Sequence, residues 1–225
     1  MQFIVISIIQ KLSFLIAFLT KNSFSEKELL KTIILDEAIV VDVGSNVGSF
    51  INLVSNINKK AYIYSIEPNN KLIALQKNKF KNRKEIKFYN YAIDLNEGYR
   101  MFYIRNPASH SSFSKIHQDE KFSKIIDTLE VQTITLEKFF YDYINSKITI
   151  LKIDIEGQDY EVLLSIKNLI QNNKIDYIKI EVNQESIEKI MASALELNLK
   201  FLGISKSFYY KNRLNFLDVY FKNIN

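Results

Sequence analysis

The chain has 225 residues, the size of one domain, and its 47% hydrophobic and 24% charged residues indicate a sizeable core and exclude global disorder. It contains no cysteine, which excludes disulfides, a cysteine-ligated zinc site and a thiol nucleophile. The net charge is +5 and almost all of the basic residues are lysines. Because no basic cluster is interleaved with aromatic residues, we expect no nucleic-acid partner.

The N-terminal stretch is apolar but interrupted. Between Met1 and Leu19, the polar residues Ser7, Gln10 and Lys11 share one helical face. No basic residue precedes the apolar run, which disfavours a cleaved secretory signal, and a lysine near the bilayer centre disfavours a spanning helix. We predict an amphipathic helical segment over residues 1–30 that packs on the domain or lies on a membrane surface.

The rest of the chain, residues 31–225, alternates strand-like and helix-like patterns. The predicted strands are Ile39–Val43, Ala61–Ile66, Ile86–Ile93, Tyr99–Ile104, Leu129–Thr135, Ile148–Ile155, Ile175–Val182, Leu199–Ile204 and Leu214–Phe221. Apolar residues at helical spacing predict helices around Val47–Ile57, Leu72–Leu75, Leu136–Tyr143, Tyr160–Ile170 and Ile187–Ala194. The alternation predicts one α/β domain with a doubly wound, mostly parallel sheet, and Asn106–Asp119 is a polar loop.

The first candidate site is the segment Asp42-Val43-Gly44-Ser45-Asn46-Val47-Gly48, where a strand enters a tight turn and then a helix. Such a turn at the carboxyl end of a strand presents backbone N–H groups to a ligand. Gly44 is expected to permit the turn and a close ligand approach, and Gly48 the packing of helix on strand. The dinucleotide fingerprint is not met, because its three glycine slots hold Gly44, Asn46 and Ser49, and no Walker A pattern follows.

Acidic residues end four of the predicted strands. They are Asp42, Glu67, Asp154 and Glu181, and the carboxyl ends of parallel strands line one crevice. Glu67, ahead of Pro68, occupies the position from which a carboxylate accepts the two hydroxyls of an adenosine ribose. A turn unsuited to pyrophosphate and surrounded by carboxylates suits a cationic nucleoside. S-adenosylmethionine carries a sulfonium, an ammonium and a ribose, and no phosphate.

These motifs resemble the FkbM-type family of S-adenosylmethionine-dependent methyltransferases. The segments that carry the resemblance are, in the family's order, Val41–Gly48, Ile66–Asn69, Ala92–Asp94, Thr133–Glu137, Lys152–Gly157 and Glu181. The resemblance implies a Rossmann-like class I methyltransferase fold with a seven-stranded sheet, and O-methylation of a hydroxyl on a sugar, glycan or secondary metabolite. Two positions depart from the family pattern: Glu137 replaces the usual aspartate, and Gln158 replaces the small residue before an acid, which is kept as Asp159.

Site residues follow from the motifs and the resemblance. The expected cofactor-binding residues are Asp42, Gly44, Ser45, Asn46, Gly48, Glu67, Pro68, Ala92 and Asp154. The catalytic candidates are Asp154, Glu156 and His110, because a hydroxyl nucleophile must lose its proton. Lys152 is expected to pair with an acid. Asp154, Glu156 and Glu181 could instead hold Mg²⁺, although no residue is assigned as a metal ligand.

Two other functions remain open from the residues alone. One is a nicotinamide or nucleotide-sugar Rossmann enzyme, which Glu67 favours and the missing glycine pattern opposes. The other is a non-catalytic Rossmann-like binding module, which the intact set of strand-end acids disfavours. The expected location is the cytoplasm, with contact to the inner face of a membrane through the N-terminal segment as a further option.

Overall fold

Strands and helices alternate along the computed structural model, which describes residues 23–106, 111–113, 124–183, 185–210 and 213–225. The strands are β1 (Ile39–Val43), β2 (Tyr62–Ile66), β3 (Ile86–Tyr89), β4 (Ala92–Ile93), β5 (Gly98–Asn106), β6 (Lys124–Ile134), β7 (Ile148–Ile153), β8 (Ile175–Val182), β9 (Leu199–Tyr210) and β10 (Arg213–Asn223). The helices are α1 (Glu26–Ile33), α2 (Ser49–Ile57), α3 (Asn70–Lys79), α4 (Leu136–Phe139), which continues as a π-helical turn over Phe140–Ile144, α5 (Asp159–Ser165), α6 (Lys167–Gln171) and α7 (Ile187–Glu196). The amphipathic segment predicted at the N-terminus lies largely outside these residues.

Seven strands form the main sheet, in the order β3-β2-β1-β7-β8-β10-β9. The first five are parallel neighbours, and β10 runs antiparallel to both β8 and β9. The chain crosses from β1 outward to β3 and later returns to the other side of β1 with β7, as a doubly wound sheet does. The predicted seven-stranded, mostly parallel α/β fold is therefore confirmed.

A second sheet of three strands, in the order β4-β6-β5, lies between β3 and α4 along the chain. The single strand predicted over Ile86–Ile93 is wrong, because the chain leaves the main sheet after Tyr89 and pairs Ala92 and Ile93 with β6. Asn90 stands at this exit, and its side-chain amide donates to the carbonyls of Glu67 and Pro68 at 2.9 and 2.7 Å.

Helices cover both faces of the main sheet. Val40 and Ile150 belong to one buried cluster with residues of α1 and α2, and their neighbours Val41 and Leu151 belong to another with residues of α4 to α7. This burial on both sides explains why the parallel strands are nearly continuous apolar runs. The helix predicted over Tyr160–Ile170 is interrupted at Ile166, where α5 ends. No helix of the described residues is long and apolar enough to cross a bilayer.

Candidate active site

The turn after β1 is held to two neighbouring strands. The N–H groups of Gly44 and Ser45 donate to the Ile66 carbonyl at 3.0 and 3.1 Å, which ties the turn to the end of β2. Gly44 has a positive φ of 73°, and a Cβ there would lie 1.8 Å from the carbonyl oxygen of Asp154. Gly44 therefore permits the turn, as expected, and also the close contact with the end of β7; the close approach of a ligand stays a prediction.

Gly48 has a different neighbour from the one expected. Its φ is 75°, and a Cβ there would lie 2.9 Å from Cε2 of Phe80, the residue that ends α3. The expected packing of helix on strand at this position is thus replaced by packing against a ring that follows α3. The glycine lets the start of α2 approach this ring closely.

Glu67 joins the turn to the start of α3. Its Oε2 accepts the Asn46 N–H at 2.9 Å and its Oε1 accepts the Asn69 N–H at 2.9 Å. The residue is 5% exposed, and this burial raises the pKa of the carboxyl to about 7, although the two backbone hydrogen bonds oppose the shift. From the carboxyl end of β2, Glu67 therefore stabilises both the turn after β1 and the segment that precedes α3.

A buried amide that the sequence analysis missed also supports the turn. Gln76 is fully buried; its Nε2 donates to Ser45 Oγ at 2.8 Å and to the Asn46 carbonyl at 2.6 Å, and its Oε1 accepts from Ser65 Oγ at 2.6 Å. The signal was present in the sequence, since Gln76 is a polar residue on the buried side of α3 that it shares with Ile73.

Lys152 joins the first motif to the third, as the expected ion pair. Its Nζ lies 3.1 Å from Asp42 Oδ1, 3.1 Å from Asp154 Oδ2 and 3.4 Å from the Gly44 carbonyl. Burial alone would lower the pKa of Lys152, but the charges of Asp154 and Asp42 raise it above the usual value. Asp42 is completely buried and, within the described residues, has no partner other than this ammonium.

The segment after β7 is a tight turn held by Asp159. Its two carboxylate oxygens accept the N–H groups of Ile155 and Gly157 at 3.0 and 3.1 Å. Glu156 lies inside this turn with a φ of 57°, in the left-handed region. Burial raises the pKa of Asp159 to about 6. Because Asp159 satisfies the turn, the Glu156 carboxylate is left to face the neighbouring acids.

Three carboxylates converge at the ends of β7 and β8. Asp154, Glu156 and Glu181 each place an oxygen within 4.8 Å of the other two. Burial, followed by the charge of Asp154, raises the pKa of Glu156 to about 8 and that of Glu181 to about 10. Such a group can share protons, face a cation or hold the hydroxyl of a substrate, and its hard oxygens are ligands that Mg²⁺ accepts.

Two other predicted site residues, Ala92 and Pro68, are not part of the turn or of the group of three carboxylates. Ala92 is buried in β4 with Phe102 and Val131, so its side chain fills the core of the small sheet. Pro68 lines a cavity of about 180 Å³ between the start of α3 and β6, together with Asn70, Asn90 and residues 129–132. His110 falls outside the described residues.

Comparisons with known proteins identify the family and the fold of the chain. Residues 42–206 match the family described as the methyltransferase FkbM domain. An rRNA methylase from Streptococcus thermophilus has the same fold, with 10% identity, a TM-score of 0.54, and coverage of 88% of this chain and 94% of that one. SMU.1697c from Streptococcus mutans, solved with S-adenosylhomocysteine, is 11% identical, with a TM-score of 0.51 and coverage of 87% and 94%.

Identities this low show the fold alone, and no curated protein matches the chain. The family match carries the assignment. It spans most of the chain, from Asp42 in β1 to β9, and includes the glycine turn, Glu67, the Lys152 ion pairs and the three convergent carboxylates. The chain belongs to the FkbM family of S-adenosylmethionine-dependent methyltransferases.

Proposed function

We propose that the enzyme methylates a hydroxyl group on a sugar, a glycan or a secondary metabolite. The observation that supports this proposal is the position of Asp154. Its backbone carbonyl packs against Gly44 of the turn, and its carboxylate lies beside Glu156 and Glu181. One residue thus lies between the turn that would hold the methyl donor and the carboxylates that would face the acceptor.

The residues around the turn fit S-adenosylmethionine. The buried carboxylate of Asp42 and the carboxylate of Asp154 share one ammonium group, that of Lys152. Two negative charges therefore face one positive charge, which favours a ligand cation near the turn. Glu67 uses one acceptor site on each oxygen for backbone N–H groups, and a carboxylate keeps further sites for the ribose hydroxyls. Pro68, the residue after Glu67, lines the cavity described above, and this cavity is the proposed site of the adenine of the cofactor. When bound, the cofactor supplies an electrophilic methyl group.

On the acceptor side, the proposed task of Asp154 is to hold the hydroxyl and take or relay its proton. A hydroxyl has to be deprotonated in or near the transition state, and a carboxylate within hydrogen-bond reach can do so. The groups beside it, Glu156 and Glu181, are carboxyls and not the cationic side chains that bind phosphate, which favours a neutral small-molecule or glycan acceptor over a nucleic acid. The proposed compartment is the cytoplasm.

Calorimetry with S-adenosylhomocysteine tests the cofactor site. We expect Glu67→Ala to weaken binding by about 1–3 kcal/mol at about pH 8, where most of this carboxyl is ionised, because a buried, charged hydrogen-bond acceptor is removed. The exposed Glu97 provides a matched control, and Glu97→Ala should bind as the unaltered protein does. NADH is titrated in parallel. Heat with NADH and none with S-adenosylhomocysteine would favour the nicotinamide alternative, and no heat with either would favour a non-catalytic module.

The pH dependence of binding tests whether the three convergent carboxyl groups interact electrostatically with the sulfonium. The pKa of Glu156 is raised to about 8, so this carboxyl loses its proton as the pH rises through that value, and the site becomes more negative. A cation favours the ionised form, so binding of S-adenosylmethionine should tighten relative to S-adenosylhomocysteine between about pH 6 and about pH 8.5. A cation that lowers this pKa by about one unit changes the affinity ratio about tenfold. Glu156→Gln should flatten the profile, and a flat profile in the unaltered protein would contradict the expectation.

A further inference from the structure

The positive charge of the chain is concentrated in one stretch. Residues 59–87 hold nine of the thirty basic residues and two of the twenty-five acidic ones, a net charge of +7, whereas the whole chain carries +5. The remaining residues therefore sum to a slightly negative charge. Such an asymmetry points to an anionic partner for this part of the molecule.

Six exposed lysines of this stretch surround the ends of α2 and α3, and we call them the basic face. They are Lys59, Lys60, Lys77, Lys79, Lys81 and Lys84. Arg83 holds the two helix ends together, because its Nη2 donates to the Lys59 carbonyl at 2.8 Å and its Nη1 to the Ser55 carbonyl at 3.4 Å. Since β2 and β3 begin here, the basic face lies at the sheet edge opposite Glu67 and Asp154.

The charge of the basic face is almost unneutralised. Within the described part of the chain, Lys60 alone of the six forms an ion pair, with Asp36 at 3.5 Å, and these two side chains are 75% and 74% exposed. An exposed pair of this kind contributes little. Lys77 and Lys79 lie in the last turn of α3, where the helix dipole favours cations, but the dipole does not account for the lysines beyond the helix.

Two apolar side chains close to these lysines in the chain are exposed. Tyr62, two residues after Lys60, is 48% exposed, and Leu75, one helical turn before Lys79, is 58% exposed. Lysines with exposed apolar side chains close to them in the chain suit a lipid surface, where the ammonium groups reach the headgroups and the apolar groups enter the interface. Arginine, the residue suited to nucleic-acid phosphates and bases, is represented here by Arg83, which is engaged with backbone carbonyls.

We infer that the basic face docks the enzyme on an anionic lipid bilayer, with the carboxylate edge of the sheet turned away toward the aqueous phase. Each lysine that lies close to an anionic bilayer makes binding more favourable, and salt screens this attraction beyond a Debye length. Binding should therefore require anionic lipid and fall with salt. The inference does not depend on the identity of the methyl acceptor.

Co-sedimentation of the full chain with vesicles tests the docking. The vesicles contain either phosphatidylcholine alone or equal parts of phosphatidylcholine and phosphatidylglycerol. We expect binding to the anionic vesicles alone, weakened by added salt. The quadruple variant Lys77→Gln, Lys79→Gln, Lys81→Gln, Lys84→Gln should bind them at least about 100-fold more weakly, since each lysine near the surface contributes a comparable increment. Its melting temperature should match that of the unaltered protein.

A second quadruple variant is the matched control. Lys167→Gln, Lys174→Gln, Lys189→Gln and Lys200→Gln remove the same charge from exposed positions elsewhere, and this variant should keep most of the vesicle binding. Equal loss in both variants would reduce the effect to net charge and overturn the inference. So would equal binding to neutral vesicles, or tighter binding of a single-stranded RNA than of the anionic vesicles, which would identify a nucleic-acid surface instead.

Discussion

Asp154→Asn is expected to lower kcat by about 100-fold or more while the affinity for S-adenosylhomocysteine changes little. The substitution keeps the shape of the side chain and removes its charge. Asp154 Oδ2 lies 3.1 Å from Lys152 Nζ, and the side chain is 29% exposed, so the carboxylate is both held in place and accessible to an acceptor. Its loss acts on the reacting groups, whereas adenosine recognition is assigned to Glu67 and the turn.

The measurement is the release of S-adenosylhomocysteine with an acceptor found by screening hydroxylated glycans and metabolites against the unaltered enzyme. Glu156→Gln is the control and should have the milder effect. The pKa of Glu156 is raised to about 8, so near neutral pH this group is mostly a protonated acid, which glutamine imitates. Near-normal turnover with strongly weakened cofactor binding would instead place Asp154 among the cofactor-binding residues and leave His110 as the leading base.

Lys152→Met is expected to destabilise the fold by about 3–5 kcal/mol, the cost of leaving a buried charge without its partner. Asp42 is completely buried and Lys152 is 7% exposed, so water cannot replace the lost ammonium. Asp154 loses the same partner but is partly exposed and suffers less. The free energy of unfolding in urea measures the effect.

The double variant Lys152→Met with Asp42→Asn is the control for that measurement. It removes the unpaired charge together with its partner, and a neutral pair of buried groups costs less than one buried ion. We expect it to recover part of the lost stability. In Lys152→Met alone, burial raises the pKa of Asp42 above its unfolded value, so the deficit should shrink as the pH falls and Asp42 takes up a proton. A stability equal to that of the unaltered protein would show that Lys152 is not the counter-ion on which Asp42 depends.

Local patterns in the sequence were sufficient for the fold class and the edge that carries the site. Short apolar runs alternating with helical spacing specify parallel strands covered on both faces, as β1 and β7 are. The glycine turn and the strand-end acids Asp42, Glu67 and Asp154 follow from the same reading, because every parallel strand ends at one edge of the sheet. Two predicted strands, Ile39–Val43 and Ile175–Val182, coincide with β1 and β8.

Other features depended on register and on long-range contacts. Asp42 lies opposite Lys152 only because β7 pairs with β1, and a strand's own sequence does not state its neighbour. The exit at Asn90 depends on hydrogen bonds to the carbonyls of Glu67 and Pro68, which lie more than twenty residues away in the chain. The support of the turn by Gln76 likewise required α3 to pack beneath it. Propensity and periodicity act over a few residues, so they specify the elements and their buried sides, whereas the pairs that set charge and backbone geometry at this site form only when distant elements meet.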